Sequence, residues 1–303
     1  MNLKKLKYIV TIAELRSISK AANELFISQP SLSSILSNLE KELGVTLFNR
    51  STSPLSLTYA GEKYVETANK ILSLENNLKK ELCDISNIKK GKITIGIPAV
   101  RATDVLPVVL PKFKEKYPEM EIHLVEGDSN YLEECLFSGK VDLVLTSLPS
   151  NHKKIACEHL YEEKIMLACK RGYLGEEFLS SANSNIISKE KLKDMNFILT
   201  KKNHRIRKLT ESLFETFDFK PKVILETSNT ATAFRLATSG LGVCFVSEMI
   251  LNTTKPMGEY DLFHIEDSPL VWNISICHLQ NAYLNDAERY FIECSKTIPY
   301  ENL

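Results

Sequence analysis

Apolar positions in the first ninety residues repeat at helical rather than strand spacing. Leu3, Leu6, Val10 and Ala13 make one stripe. Ser17-Ile18-Ser19 interrupts it and supplies N-cap hydroxyls for a short second helix over 20–25, where Ala21 and Ala22 let a neighbour approach closely. Phe26-Ile27 turns the chain. Ser28 then caps a third helix with Pro30 in its first turn, where a missing N–H costs nothing. Leu32, Ile35, Leu36, Leu39 and Leu43 form its inward face, and Gly44 ends it. Ser31, Ser34, Asn38 and Lys41 face outward, with Ser33 and Ser37 at the margin.

Two helices joined by a tight polar turn are a helix-turn-helix plan. An outward row of serines suits two surfaces: the solvated face of a small bundle, or a helix lying in a major groove. Hydroxyls are short, donate and accept, and let a helix lie close to base edges and phosphates. The next residues favour the groove. Segment 46–50, a loop over 51–56 and Leu57-Thr58 read as two short strands around a turn, a wing that places Arg50 to meet phosphate. A long helix follows from residue 60. In it Tyr64, Ala68, Ile71, Glu75, Leu78, Leu82 and Ile85 recur in steps of four and three, a seam for dimerisation in which Glu75 sets register. A dimer brings two recognition helices to two half-sites.

Past Lys89-Lys90-Gly91 the pattern changes to strand and helix in alternation. Strands are expected over 92–98, 121–125, 141–146, 164–169, 196–200, 222–226, 242–246 and 271–279. Helices are expected over 105–117, 130–137, 205–217, 230–239 and 284–298, the last with Ala287, Tyr290, Phe291 and Cys294 inward. Such alternation implies parallel sheets with crossover helices. Ligands of open α/β sheets sit beyond the carboxyl ends of strands, where helix N-termini point. That rule selects Val100, Arg101, Ala102, Thr103, Ser129, Thr146, Ser147, Thr200, Asn203 and Thr227. Arg101 suits a carboxylate, phosphate or sulfate oxygen. Helix capping and turn closure also explain most of the hydroxyl and amide residues.

Composition narrows the class. A chain of 303 residues suits two or three domains, and 44% apolar with 25% charged residues is globular. No run approaches the roughly 20 apolar residues of a membrane span. The start, MNLKKLKYIVTIAEL, imitates a signal peptide, but the polar break at Thr11, Glu14 and Arg16 makes it an amphipathic helix, so a cytoplasmic protein is expected. Seven cysteines without CxxC spacing fit a reducing compartment. Cys135, Cys169, Cys244 and Cys277 read as small buried hydrophobes, and Cys157 with His159 lacks the partners a metal needs. The net charge is zero, yet residues 1–90 hold thirteen Lys/Arg against nine Asp/Glu, so the basic excess lies at the helix-turn-helix end.

Ala21-Ala22, Leu25, Ser28-Gln29-Pro30, Leu39-Glu40, Leu43-Gly44, Leu47-Phe48, Arg50, Leu57-Thr58 and Ala60-Gly61 together resemble the winged helix-turn-helix of the LysR-type transcriptional regulators. The resemblance continues in Phe137-Ser138-Gly139-Lys140-Val141-Asp142-Leu143 and Ala237-Thr238-Ser239-Gly240-Leu241-Gly242-Val243. It implies an α+β chain in three parts: a DNA-binding domain over 1–61, a linker and dimerisation helix over 62–88, and an effector-binding region over 91–303. That region resembles periplasmic binding proteins, with one α/β subdomain at about 91–160 plus 270–303, a second at about 161–269, and two crossing strands between them. By the same resemblance Gln29, Pro30, Ser33 and Ser34 approach bases or nearby backbone, joined by the outward Ser31 and Asn38, and Arg50 meets a phosphate. Tyr64, Ile71, Leu78 and Leu82 would carry dimerisation. The implied partners are double-stranded promoter DNA, a small-molecule effector, and further copies of the chain as dimer or tetramer, with no cofactor, metal or membrane.

The chain departs from that family's pattern in three places. Family members often carry a basic residue where Ser34 stands, and more in the wing where Ser51-Thr52-Ser53 stand. They commonly have a serine or threonine where Val100 or Ala102 stands. Fewer phosphate contacts predict a shallow salt dependence and weak nonspecific binding. An enzyme is disfavoured, because GxSxG, GxGxxG, Walker and HExxH patterns are absent and the six histidines lack sequence-level partners. A solute-binding protein would account for 91–303 and leave 1–88 unexplained.

Overall fold

A computed structural model describes residues 2–86, 89–148, 154–181, 185–202, 204–280 and 282–298. The chain divides into two compact units, Met1–Ile88 with Asn281–Asn285, and Lys89–Gln280 with Asp286–Leu303.

In the first unit Asn2 caps α1 (Leu3–Leu15), accepting the Lys4 N–H at 2.9 Å. The single expected stripe is corrected: Leu3 is 40% exposed, whereas Ile9 and Ile12 are fully buried. The reason is that α1 is covered on two sides. Tyr8, Ile9 and Ile12 enter the main cluster with Ala21, Ala22, Leu32 and Leu36, while Leu6 and Val10 pack with Ala68. Ser17 caps α2 (Ile18–Glu24), two residues earlier than expected. Ser28 caps α3 (Gln29–Leu43), and Gly44 closes it in the left-handed region at φ 71°. Leu32, Leu36 and Leu39 are buried there, but Leu43 is exposed.

Strands β1 (Phe48–Asn49) and β2 (Ser56–Leu57) pair antiparallel as the wing. Thr58 then starts α4 (Tyr59–Ile85), accepting the Gly61 N–H at 3.0 Å. Gly61 is required at this junction, since a Cβ would lie 2.0 Å from the Leu47 carbonyl oxygen.

In the second unit β3 (Gly91–Ile97), α5 (Ala99–Lys116), β4 (Met120–Glu126), α6 (Ser129–Phe137) and β5 (Leu143–Ser147) build one lobe. The helix α5 begins six residues before the expected start, so Val100 to Thr103 are its first turns rather than a loop. It runs through Pro107 and Pro111, both on the solvent face, where water can take the freed carbonyls. Strand β6 (Ile155–Lys170) is 16 residues long, and only its apolar second half reads as strand in the sequence. The second lobe adds β7 (Ile186–Ile187), β8 (Asn196–Thr200), α7 (Arg205–Thr216), β9 (Lys222–Thr227), α8 (Thr230–Ser239), β10 (Cys244–Ser247), α9 (Glu248–Thr253) and β11 (Tyr260–Ile265). The chain returns through β12 (Val271–Leu279) and ends in α10 (Asp286–Lys296), where Ala287, Phe291 and Cys294 are buried and Tyr290 half-buried.

The sheet order is β4-β3-β5-β12-β6-β11-β7, with β10 also on β6. Wholly parallel sheets are corrected: β4, β3 and β5 are parallel, but β12 is antiparallel to both β5 and β6. Residues 155–164 of β6 pair with β12, and 165–170 with β10 and β11, so this one strand serves both lobes.

Candidate nucleic-acid interface and ligand cleft

Gln29, Pro30, Ser31, Ser34, Asn38 and Lys41 stand exposed along α3, with Ser33 and Ser37 half-buried. This follows from the helical period once Leu32, Leu36 and Leu39 are fixed inward. The Ser28 and Ser31 hydroxyls lie 2.7 Å apart, which holds the first turn closed. Phe26, 95% exposed and in the left-handed region at φ 53°, adds an aromatic beside that turn. Its exposure has no signature in the sequence.

Glu40 is the buried organiser of this surface. One carboxylate oxygen accepts the Leu47 N–H at 2.7 Å and the Phe48 N–H at 3.3 Å. The other takes the Arg50 guanidinium at 2.9 Å, and the same Arg50 nitrogen donates to Ser37 at 3.0 Å. Arg50, the residue expected to meet a phosphate, is thus also the ion-pair partner of Glu40. It reaches the surface, with its side chain 51% exposed, already carrying Glu40 as counter-charge.

The residues of the expected dimer seam divide into two groups. Tyr64 and Ile71 are half-buried against α1 of the same chain. Leu78 and Leu82 are 56% and 54% exposed, and Leu74 and Ile85, at 67% and 72%, extend the same ridge.

Between the two α/β lobes lies a cavity of about 290 Å³, bordered by the first turns of α5, α6, α7 and α8. Of the residues selected from sequence, Val100, Arg101, Ser129 and Ser147 line it. Ala102 and Thr103 do not: Ala102 is buried beneath α5, and the exposed Thr103 hydroxyl donates to the Val100 carbonyl at 2.7 Å. Thr146 and Thr200 are buried at strand ends but absent from the wall. A strand alternates its faces, so Ser147 meets the cavity while Thr146 points the other way. Thr227 is also off the wall, its hydroxyl accepting the Asn229 N–H at 3.1 Å. Asn203 lies outside the described residues.

Both arginines at the cavity are neutralised. Arg101 is buried, donating to the Glu163 carboxylate at 2.5 Å and the Tyr161 hydroxyl at 2.6 Å, so the guanidinium expected to take an anion already holds a carboxylate of its own chain. Burial works against its charge, but Glu163 and Tyr161 outweigh it and raise the Arg101 pKa. Burial likewise pushes the Tyr161 hydroxyl up to about 12, against the pull of Arg101. Arg205, on α7, crosses between the lobes to the Ser147 carbonyl and the buried Glu133 carboxylate of α6. Arg205 and Glu133 escaped the sequence reading because nothing local links residues 72 apart.

What remains for a ligand is mainly polar and uncharged, with one carboxylate, Asp128, at the wall, where it accepts the Tyr131 N–H at 3.0 Å. Helices α5 and α7 have no side-chain cap, leaving first-turn N–H groups toward the cavity. Ser147 and Ser247, 4% and 2% exposed, add two buried serines to the wall. Ile206, Ile250, Met249 and Trp272 supply apolar wall. A larger hollow of about 840 Å³ lies where Asp104, Glu162 and Glu248 gather, and its carboxylates repel the same ligand.

A winged helix-turn-helix joined in one chain to a two-lobed α/β ligand-binding region defines a ligand-responsive, DNA-binding regulator. The pattern described as the bacterial regulatory helix-turn-helix protein of the lysR family matches residues 3–62, and that of the LysR substrate binding domain matches residues 86–297. The chain belongs to the LysR family of transcriptional regulators, with a DNA-binding domain followed by an effector-binding region. It is 32% identical over 308 residues to the uncharacterized HTH-type transcriptional regulator YcgK of Bacillus subtilis, covering 98% of this chain and 94% of that protein. A probable RuBisCO transcriptional regulator of Phaeodactylum tricornutum is 27% identical, over 95% and 94% of the two chains. Among solved structures, a full-length OxyR variant from Pseudomonas aeruginosa superposes with a TM-score of 0.74 at 23% identity, covering 99% and 96%. CbnR complexed with its target DNA gives 0.59 at 20%, covering 98% and 99%, and both share the fold. No helix among the described residues is long and apolar enough to cross a membrane.

Proposed function

We propose that the chain regulates transcription in the cytoplasm by binding promoter DNA as a dimer or tetramer, under the control of a small organic anion held between its α/β lobes. The observation that carries the ligand class is the cavity wall: two uncapped helix N-termini and two buried serines around about 290 Å³ of space. Helix N-termini favour negative charge, and backbone N–H groups bind carboxylate oxygens directly. Both wall arginines already hold carboxylates, so a monocarboxylate with an apolar body fits better than a multiply charged phosphate ester. Ligand closes the lobes, and the equilibrium between lobe angles sets promoter affinity.

On the DNA side, Gln29, Pro30, Ser31, Ser33, Ser34 and Asn38 present a short, hydroxyl-rich surface to base edges and phosphates. Arg50, pinned by Glu40, offers its outer guanidinium face to the backbone. The exposed ridge of Leu74, Leu78, Leu82 and Ile85 fits a second copy of α4. A thermal-shift screen of the full chain against small organic acids tests the ligand class. A saturating ligand at a hundred times its Kd adds about 2.7 kcal/mol. Stabilisation by monocarboxylates that Ser247→Val abolishes supports the reading; stabilisation by amines or sugars alone rejects it.

A further inference from the structure

Cys157 on β6 and Cys277 on β12 stand opposite each other in the antiparallel register and are joined as a disulfide. They are 120 residues apart in sequence, on adjacent strands of which β6 serves both lobes. Facing side chains of an antiparallel ladder are its nearest neighbours, so the register alone brings the two sulfurs together whether oxidised or reduced. Cys277 is fully buried and Cys157 half-buried, so Cys157 is the more accessible residue of the pair.

A regulator that acts on promoter DNA works where small thiols keep most cysteines reduced, and a cross-link there is exposed to exchange. Of the other cysteines, Cys83 is half-buried, and Cys135, Cys169, Cys244 and Cys294 are buried. Burial pushes the Cys169 thiol up to about 12 and raises those of Cys244 and Cys294, so these three keep their protons and exchange slowly. The pair also borders the cleft machinery. Cys157 and Cys277 pack with Leu132, Cys135 and Leu136 of α6. That helix opens at Ser129 on the cavity wall and carries Glu133, the partner of Arg205.

We propose that Cys157 and Cys277 form a reversible thiol–disulfide exchange site whose co-reactant is a low-molecular-weight disulfide of the glutathione type, and whose oxidised form fixes α6 on its sheet. The Cys157 thiolate attacks one sulfur of the small disulfide, forming a mixed disulfide and releasing one small thiolate. The Cys277 thiol gives its proton to solvent and attacks the Cys157 sulfur, releasing the second. Two protein thiols are oxidised and one small disulfide is reduced to two thiols. In reverse, a small thiolate attacks the Cys157 sulfur, and Cys277 leaves as thiolate and is protonated from solvent; a second small thiolate then attacks the small-thiol sulfur of the mixed disulfide, re-forming the small disulfide and releasing the Cys157 thiolate. The site is independent of what fills the cavity.

The test equilibrates the full chain with reduced glutathione and glutathione disulfide at a series of ratios, alkylates free thiols, and maps them by mass spectrometry. The expected result is that Cys157 and Cys277 lose and regain alkylation together as the ratio is changed in either direction. Amide hydrogen exchange over 129–137 should slow several-fold in the oxidised form. Cys157→Ser, at the half-buried position, should leave the fold intact and abolish that difference. Independent alkylation of the two thiols at every ratio overturns the proposal. So does a cross-link that excess reduced glutathione never opens, a pairing of Cys157 with Cys135 instead, or exchange over 129–137 that ignores oxidation.

Discussion

Replacing Glu40 by Ala removes one carboxylate that three donors share: the Leu47 and Phe48 N–H groups and the Arg50 guanidinium. Leu47 and Phe48 are 1% and 3% exposed, so water cannot replace the lost acceptor without opening the wing. A buried N–H left unpaired costs about 1–3 kcal/mol, and the 3.3 Å bond to Phe48 is the weaker of the two. The half-exposed Arg50 contact adds about 1 kcal/mol or less. A loss of about 3 kcal/mol follows, on the order of 15 °C in the melting of a domain this small. The single tryptophan, Trp272, lies in the second unit, so its fluorescence follows that unit alone. Circular dichroism at helix wavelengths should show an early transition in Glu40→Ala while the Trp272 transition stays in place. Glu40→Gln keeps an acceptor for Leu47 and should lose only about a third as much. Equal damage from both variants would refute this, because the charge pair with Arg50, not acceptance of the N–H groups, would then hold the wing.

Other perturbations have defined outcomes. The Tyr161 hydroxyl titrates near 12 in the folded chain rather than 10, so its contribution is complete below pH 10 and is lost as pH rises through 12. The difference between those values amounts to about 2–3 kcal/mol, and Tyr161→Phe should flatten the fall in stability between them; an unchanged slope would contradict it. Replacing exposed Leu74 and Leu78 by Glu should leave the melting of one protomer within about 1 kcal/mol yet shift sedimentation toward monomer; a variant still associated would place the interface elsewhere. Gln29→Ala should change stability by under about 0.5 kcal/mol while relaxing DNA sequence preference, read by competition with mismatched duplexes; unfolding instead would make the position structural.

The recognition helix was legible because its order is local. Ser28, Pro30, the Leu32–Leu36–Leu39 spacing and Gly44 each act within a few residues, so cap, inward face and stop could all be placed. Glu40 lay in the same stretch and escaped, because a carboxylate accepting backbone N–H groups from the next loop looks like any solvated helix charge. The alternation of α/β elements was visible, but the first half of β6 was not. Its Cys157 to Glu163 stretch mixes polar and apolar residues, and ladder partners on β12 make it a strand. The cleft was legible only as a region. The rule that ligands gather beyond strand ends found Ser129 and Ser147. It also assigned Arg101 a free charge that Glu163 cancels, a pairing 62 residues away in the chain. Helix start points mattered as well, since Thr103 left the wall once α5 began at Ala99.

Effector control of DNA binding is tested most directly by the affinity of the full chain for duplex DNA from the region upstream of its own gene, with and without a monocarboxylate identified by thermal shift. The expected result is an affinity change of at least about fivefold, roughly 1 kcal/mol of coupling, that disappears in Ser147→Val and Ser247→Val while their basal DNA binding is kept. DNA affinity indifferent to every stabilising acid, or a response that survives both substitutions, would contradict it.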